Sequence, residues 1–327
     1  MCHTLVGAGL ARSGLARRTA LGTLTLLAGA NLPDVDVVAY FFGPEADLAF
    51  RRGWTHGVLA LLLWPFVLTG AMMLLGRAVR RARRATLPSG LVPRQLLLLS
   101  TIAILSHPIL DTLNTYGMRW LMPFSGRWYY GDTLFIVDPW LWLVLGAGVM
   151  LTRARRGGTG AARVALGLSL AYVVTMAAST VAGRRAAGAE IAAITGEPVS
   201  RLMVSPIPVN PFRRKVVVEQ EEVYRTADFR WMATPRLDPA SLRVFPKGPA
   251  DHPAVQAAAR TTVGRRFLGW ARFPTFRLEP AGAGAFVVHI IDLRYAEQPG
   301  DRFGAVSIPV TVAIGSGPTL SQSDLTE

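Results

Sequence analysis

Residues 57–76 read GVLALLLWPFVLTGAMMLLG, without one charged side chain. A helix rises about 1.5 Å per residue, so this run is about 30 Å long, the thickness of a bilayer's hydrocarbon core. Three more windows approach that length: Leu91 to Leu110, Thr133 to Thr152, and Val164 to Ala182. The last is uncharged throughout, the second carries Arg94 and His107 near its ends, and the third contains Asp138 followed by Pro139. Composition agrees: 51% of the 327 residues are hydrophobic and 17% charged, against about 25% charged in a soluble domain. A single soluble globule is thereby disfavoured.

Upstream, the apolar stretch Thr19 to Leu32 is too short for a span and follows Ala11 to Arg18 (ARSGLARR). It has two readings. One is a secretory signal peptide, with Arg17 and Arg18 as its basic region and Ala28-Gly29-Ala30 as a cleavage site. The other is a hairpin of helices His3 to Ala11 and Arg18 to Leu32, with arms of about 14 and 22 Å, which returns His3 towards Asp34.

After Ala182 the composition becomes that of a mixed soluble chain. Val216 to Val223, Phe286 to Tyr295 and Val306 to Ile314 are rich in β-branched residues, and Pro206, Pro208 and Pro211 make the approach to them extended. The expected architecture is an α-helical polytopic membrane bundle of four to five apolar segments plus the N-terminal hairpin, followed by a small C-terminal antiparallel β domain. The expected division is 1–183 membrane-embedded, 184–199 linker, and 200–327 β-rich.

Net charge is +14, almost all of it arginine, with Lys only at positions 215 and 247. The arginines cluster between apolar runs, as in Arg77 to Arg84 and Arg153 to Arg156, where a membrane protein carries its cytoplasmic charge. A nucleic-acid surface is therefore not the first choice. Segments 11–18, 77–94 and 153–163 hold thirteen Arg; segments 44–56, 115–132 and 183–186 hold six. The first group is predicted to be cytoplasmic. The ends bearing Asp34, Asp36, His56, His107, Asp111 and Asp132 then face the extracytoplasmic side, as does the C-terminal domain.

Ionisable residues at membrane depth are costly and are functional candidates by default. His107 and Asp111, four residues apart in SHPILDTLNTYG, share one helix face and can converge on one ion. His56 in RRGWTHG begins another helix, Asp34 and Asp36 in NLPDVD close the segment before it, and His3 completes the set. Taken singly, each has an ordinary structural use. Their placement on one side of the bundle favours a metal site. Cys2 is the only cysteine, so the ligands are imidazole and carboxylate, which suits zinc first, with manganese or iron as alternatives. A bound divalent ion brings the pKa of its water towards neutrality and clamps reacting oxygens.

Arg52, Arg119 and Arg127 lie near these segments and could hold an anion or contact lipid headgroups. Asp132 in the aromatic stretch Trp120 to Trp140 is read as an N-cap or as a hydrogen-bond partner of a ligating histidine, and Asp138 as facing the bundle interior. His252 and His289 are read as structural. Neither a G-x-S-x-G elbow nor a phosphate-binding P-loop is present.

The segments HTLVGAGLA, NLPDVD, RRGWTHG, SHPILDTLNTYG, RWLMPFSGRWYYGD and FIVDPW together resemble the bacterial membrane-bound metal-dependent hydrolase family typified by YdjM, grouped with zinc-dependent phospholipase C and P1-nuclease proteins. The resemblance covers residues 1–150, and more loosely the C-terminal part, where ARFP (Ala271 to Pro274) and DLRY (Asp292 to Tyr295) are similar to a YfhP-like branch. It implies metal ligands at His3, Asp34, His56, His107 and Asp111, with Asp36 and Asp132 as accessory acids, and an inner-membrane location. The downstream histidines of the three-zinc pattern are missing. The expected function is hydrolysis of a phosphoester or other ester, with membrane lipid as a candidate substrate, Asp132, Arg52 and Arg119 in the catalytic set, and a protein partner for the C-terminal domain. The alternative is a non-enzymatic membrane adaptor built around a structural metal or polar cluster.

Overall fold

The structure is a computed structural model that describes residues 1–83, 90–155 and 158–312. Arg84 and Arg156 of the arginine clusters, and Ala313 and Ile314 of the last β run, lie outside the described residues.

The chain opens as a hairpin. Helix α1 (Cys2–Arg12) and helix α2 (Gly22–Asn31) are joined by a 3-10 turn, Leu15–Arg18. The Thr4 hydroxyl donates to Asn31 Oδ1 at 2.9 Å, which fastens the start of α1 to the end of α2. Gly7 makes the crossing close: a Cβ there would stand 2.7 Å from the Leu26 carbonyl oxygen. Leu26 and Ala30 are fully buried with Leu99 and Ala103. The fold contains the hairpin.

A 3-10 helix (Leu32–Phe42) and short helix α3 (Pro44–Phe50) lead into α4 (Val58–Arg83), which runs back along α5 (Pro93–Thr112). The buried residues of α5 are Leu96, Leu99, Ser100, Ala103, Ile104, His107, Pro108 and Asp111, one stripe at three- and four-residue spacing. His107 and Asp111 therefore continue the apolar core into the site.

Helix α6 (Pro139–Ala154) is shorter than the expected window Thr133 to Thr152. Asp138 is its N-cap and accepts from the Trp140 and Leu141 amides, with Pro139 in the first turn, the arrangement that starts a helix. Helix α7 (Gly160–Thr195) is one unbroken helix of 36 residues. Among the described residues, three helices are long and apolar enough to cross a membrane, α4, α5 and α7, and α6 is a shorter apolar one.

The basic connections gather at one end. The Ala20 amide donates to the Gly90 carbonyl, the Val92 amide to the Thr19 hydroxyl, and Arg163 Nε to the Ser13 carbonyl. These bonds join the α1–α2 turn to the starts of α5 and α7.

The expected linker 184–199 is helix through Thr195. Ala187 and Ile191 of α7 are buried against Val204, Val216, Val218 and Phe229 of a four-stranded sheet. That sheet has the order β1 (Arg201–Pro206), β2 (Arg213–Glu219), β3 (Val223–Arg230), β4 (Arg243–Pro246), with β1 and β2 antiparallel. The expected single β domain is thus redrawn. The chain divides into two compact units, one of Met1–Glu221 with Arg225–Val244, the other of Glu222–Tyr224 with the chain from Phe245 onward.

The second unit holds α8 (Pro253–Arg260), α9 (Thr262–Trp270) and an antiparallel sheet of β5 (Pro274–Gly282), β6 (Ala285–Asp292) and β7 (Ala305–Thr311). The ARFP and DLRY segments clasp each other there. Asp292 accepts from the Arg272 and Phe273 amides and from Arg294, whose guanidinium lies 4.4 Å from the Trp270 ring centre. His252 caps α8, and His289 bonds Ser307 and Glu279 across neighbouring strands.

Candidate metal centre

The end of the bundle opposite the arginine-rich connections collects side chains from four places in the sequence. The 3-10 helix Leu32–Phe42 begins with Pro33 and carries Asp34 in its first turn and Asp36 buried. A tight loop before α4 supplies Arg52, Thr55 and His56. Gly57 is required in that loop, because a Cβ there would collide with the Met122 carbonyl oxygen. Helix α5 supplies His107 and Asp111, and α1 supplies His3.

His56 and His107 are fully buried and Asp111 nearly so. His107 Nδ1 lies 2.7 Å from the Ala30 carbonyl oxygen, which can only accept. A proton is thereby fixed on Nδ1, and in the neutral ring the Nε2 lone pair faces the site. His56 Nδ1 lies 2.9 Å from the Thr55 hydroxyl and 3.2 Å from Asp36 Oδ2, while that hydroxyl donates to the same carboxylate oxygen. Its Nε2 is likewise free. The two Nε2 atoms stand 3.2 Å apart, and two lone pairs that close repel unless a cation lies between them.

Asp111 Oδ2 is buried without a hydrogen-bond partner, 3.6 Å from His56 Nε2 and 3.5 Å from His107 Nε2. Asp34 Oδ1 lies 3.5 Å from His107 Nε2, on a side chain 42% exposed. One donor atom from each of Asp34, His56, His107 and Asp111 falls within 4.8 Å of the others. Ligands about 2.0–2.1 Å from a tetrahedral zinc ion stand about 3.3–3.4 Å apart, close to the four separations just given. The donor set fits a divalent ion.

Around these four, other side chains hold the donor groups in place. Arg52 Nη2 meets Asp111 Oδ1 at 3.1 Å, and its Nη1 donates to Asn114 Oδ1 and to the Gly117 carbonyl. Its backbone is left-handed at φ 50°, and its amide donates to Asp36 Oδ2 at 2.7 Å. A non-glycine residue in that region costs about 1–3 kcal/mol and marks a place held by its surroundings. His3 stacks on His107 with ring centres 3.6 Å apart and reaches Asp111 Oδ1 at 3.3 Å. Burial lowers the His3 pKa. Burial also pushes the neighbouring Cys2 thiol up to about 11.

Of the expected set, the structure brings together His3, Asp34, Asp36, His56, His107, Asp111 and Arg52. Asp36 bonds the Arg52 amide, Thr55 and His56 rather than joining the four-donor group. Two expected residues stand elsewhere. Arg119 donates to the carbonyls of Ala49 and Arg51 and lies over the Trp128 ring, and burial lowers its pKa. Asp132 caps no helix; its Oδ2 accepts from Arg184 at 2.6 Å and its carbonyl accepts from Thr180. Arg127 lies over Tyr129. Asp138 is buried, as expected, but bonds Tyr172 at 3.0 Å. Thr55 and Asn114 are the functional neighbours that sequence reasoning missed. Asn114 had a signal, standing three residues beyond Asp111.

Fold and site define a multi-helix membrane protein with a buried histidine–aspartate cluster at one end of its bundle. The chain belongs to the YdjM inner membrane protein family, whose match covers residues 1–181 and so every member of the cluster. It is 35% identical over 104 residues to the inner membrane protein YbcI of Escherichia coli, covering 31% of this chain and 53% of that one. It is 24% identical over 120 residues to the uncharacterized protein YfhP of Bacillus subtilis, covering 37% of this chain and 33% of that one. The match thus spans a third to about half of each curated relative. No solved structure matches the chain.

Proposed function

We propose that this protein is a membrane-bound metal-dependent hydrolase that cleaves a phosphoester or other ester at the membrane interface. The observation that carries the reading is the pair of facing Nε2 atoms of His56 and His107, each with its Nδ1 committed to an acceptor. Asp34, His56, His107 and Asp111 would hold the ion, zinc first among the divalent metals and manganese or iron as alternatives. Such an ion supplies Lewis acidity to a bound ester and its attacking water.

The chain's own residues do the rest. Asp36 and the Ala30 carbonyl fix the histidine tautomers, and Arg52 orients Asp111 while balancing its charge. Asp34 is the exposed member and stands at the solvent edge, where substrate arrives. Arg52 is a positioning residue in this scheme, since its terminal nitrogens are bonded to protein. By the distribution of arginine, the cluster and the chain after α7 face the extracytoplasmic side. The C-terminal β region is free to meet a protein partner.

The test is metal analysis of purified full-length protein together with a panel of chromogenic phosphate and carboxylate esters. About one zinc per wild-type chain, lost in the His107→Ala, Asp111→Ala double variant, supports the site. Equal and negligible metal in both would overturn it. A site that holds metal but cleaves no ester would favour the adaptor.

A further inference from the structure

The geometry points to an acyl-chain pocket beside the metal centre, which makes the substrate a long-chain membrane lipid rather than a soluble ester. This inference rests on the hydrolase reading, and it is carried by a cavity of about 360 Å³. That volume lies within the about 300–1,000 Å³ range of ligand pockets. Its lining includes Val38, Ala39, Phe42, Ala46 and Trp54, together with Asp36 and Thr55. Those two are the residues that hold His56 Nδ1.

One element builds both the site and the pocket. In a 3-10 helix, residues three apart eclipse each other and each residue rises about 2.0 Å. Asp36, Ala39 and Phe42 therefore form one stripe about 12 Å long, with Val35 and Val38 beside it. Asp34, on the same helix, is the exposed ligand of the cluster. A lipid tail lying along the stripe would bring its ester or phosphate end towards Asp36 and Thr55, beside the four-donor cluster.

What occupies the cavity follows from what surrounds it. Tyr40, Phe41 and Phe42 are 70–82% exposed, and Val35, Val37, Val38, Phe50 and Trp54 are about half exposed. A water-facing surface of that character would be an aggregation site. In a chain with helices of spanning length it is a lipid-facing surface, with aromatic rings at the depth where they settle.

The test uses purified full-length protein and a phospholipid carrying a diazirine in its acyl chain, with photoadducts mapped by mass spectrometry. Adducts are expected to concentrate on residues 35–54. Filling the cavity with Ala46→Trp should lower them by about tenfold while adducts on the exposed α4 residues Leu62 and Phe66 persist; Val38→Trp is the second filling variant. Retained metal shows that the filled variants fold. Adducts spread evenly over residues 35–54 and α4, or unchanged by either filling, would overturn the pocket. Metal binding in wild type without pocket labelling sinks this inference alone, whereas labelling without metal sinks the hydrolase reading and leaves a lipid-binding cavity.

Discussion

His56 and His107 meet through their Nε2 atoms at 3.2 Å, from loop and helix 51 residues apart in sequence. With both Nδ1 atoms bonded to oxygen acceptors, the two neutral rings turn their Nε2 lone pairs towards each other. A proton or a metal ion between the two nitrogens relieves the repulsion of their lone pairs.

Metal removal should therefore loosen the bundle. A ligand present at about 100 times its dissociation constant adds about 2.7 kcal/mol of stability, so a chelator is expected to lower the thermal midpoint in detergent. His56→Ala and His107→Ala should each remove the chelator effect, and the double variant should lose little more, because both hold one ion. A chelator shift that survives in His107→Ala would count against the shared site.

Arg52 and Arg119 should separate. Removing one partner of a buried ion pair costs about 3–5 kcal/mol, and losing a residue that orients a ligand weakens metal binding about 10–100-fold. Arg52→Ala is expected to show both effects. Arg119→Ala should lower the thermal midpoint by freeing the Ala49 and Arg51 carbonyls but leave metal affinity unchanged. Metal titration of the two variants distinguishes them.

Asp132 should couple to Arg184 and not to the metal. Because Arg184 is 38% exposed, a double-mutant cycle of Asp132→Asn and Arg184→Gln is expected to give about 1 kcal/mol or less. Metal content should stay at the wild-type level in both. Loss of metal in Asp132→Asn would return that carboxylate to the site.

The hairpin predicts that His3 stays in the mature chain. Intact-mass measurement of membrane-extracted protein should include it, and a mass beginning after Ala30 would restore the signal-peptide reading. Gly7→Leu, which crowds the Leu26 carbonyl, should destabilise by at least about 1–3 kcal/mol.

Orientation is checked with engineered cysteines. In a Cys2→Ser background the chain has no other thiol. Cysteine at the exposed Gly126 is expected to react with an impermeant maleimide added outside the inner membrane, and cysteine at the exposed Arg80 only after the membrane is opened. The reverse pattern inverts the assigned topology.

The side chains that come together in the candidate cluster were legible where their signal is local. His107 and Asp111 share a face by helix periodicity, and the hairpin that brings back His3 follows from arm lengths. Residues that depend on distant partners were less legible. Asp132 sits beside Arg184, and Arg119 meets main-chain carbonyls that no side-chain pattern announces. The start of α6 was readable but misweighted, since Asp138-Pro139 is a helix-opening pair as well as an acid in an apolar run. The continuation of α7 was hidden by Arg184 and Arg185, which ended the apolar window. Beyond them Ala186 to Ala193 is strongly helix-forming, and Ala187 and Ile191 find a sheet to cover them.

Helix α7 is about 54 Å long at 1.5 Å per residue, nearly twice the hydrocarbon thickness, and has no proline from Gly160 to Thr195. The same rod that lines the bundle is the floor of the first sheet. Between them there is no joint. Thr180 and Arg184 of that one rod bond Asp132, so the loop that follows α5 is fastened to the helix that also carries the sheet.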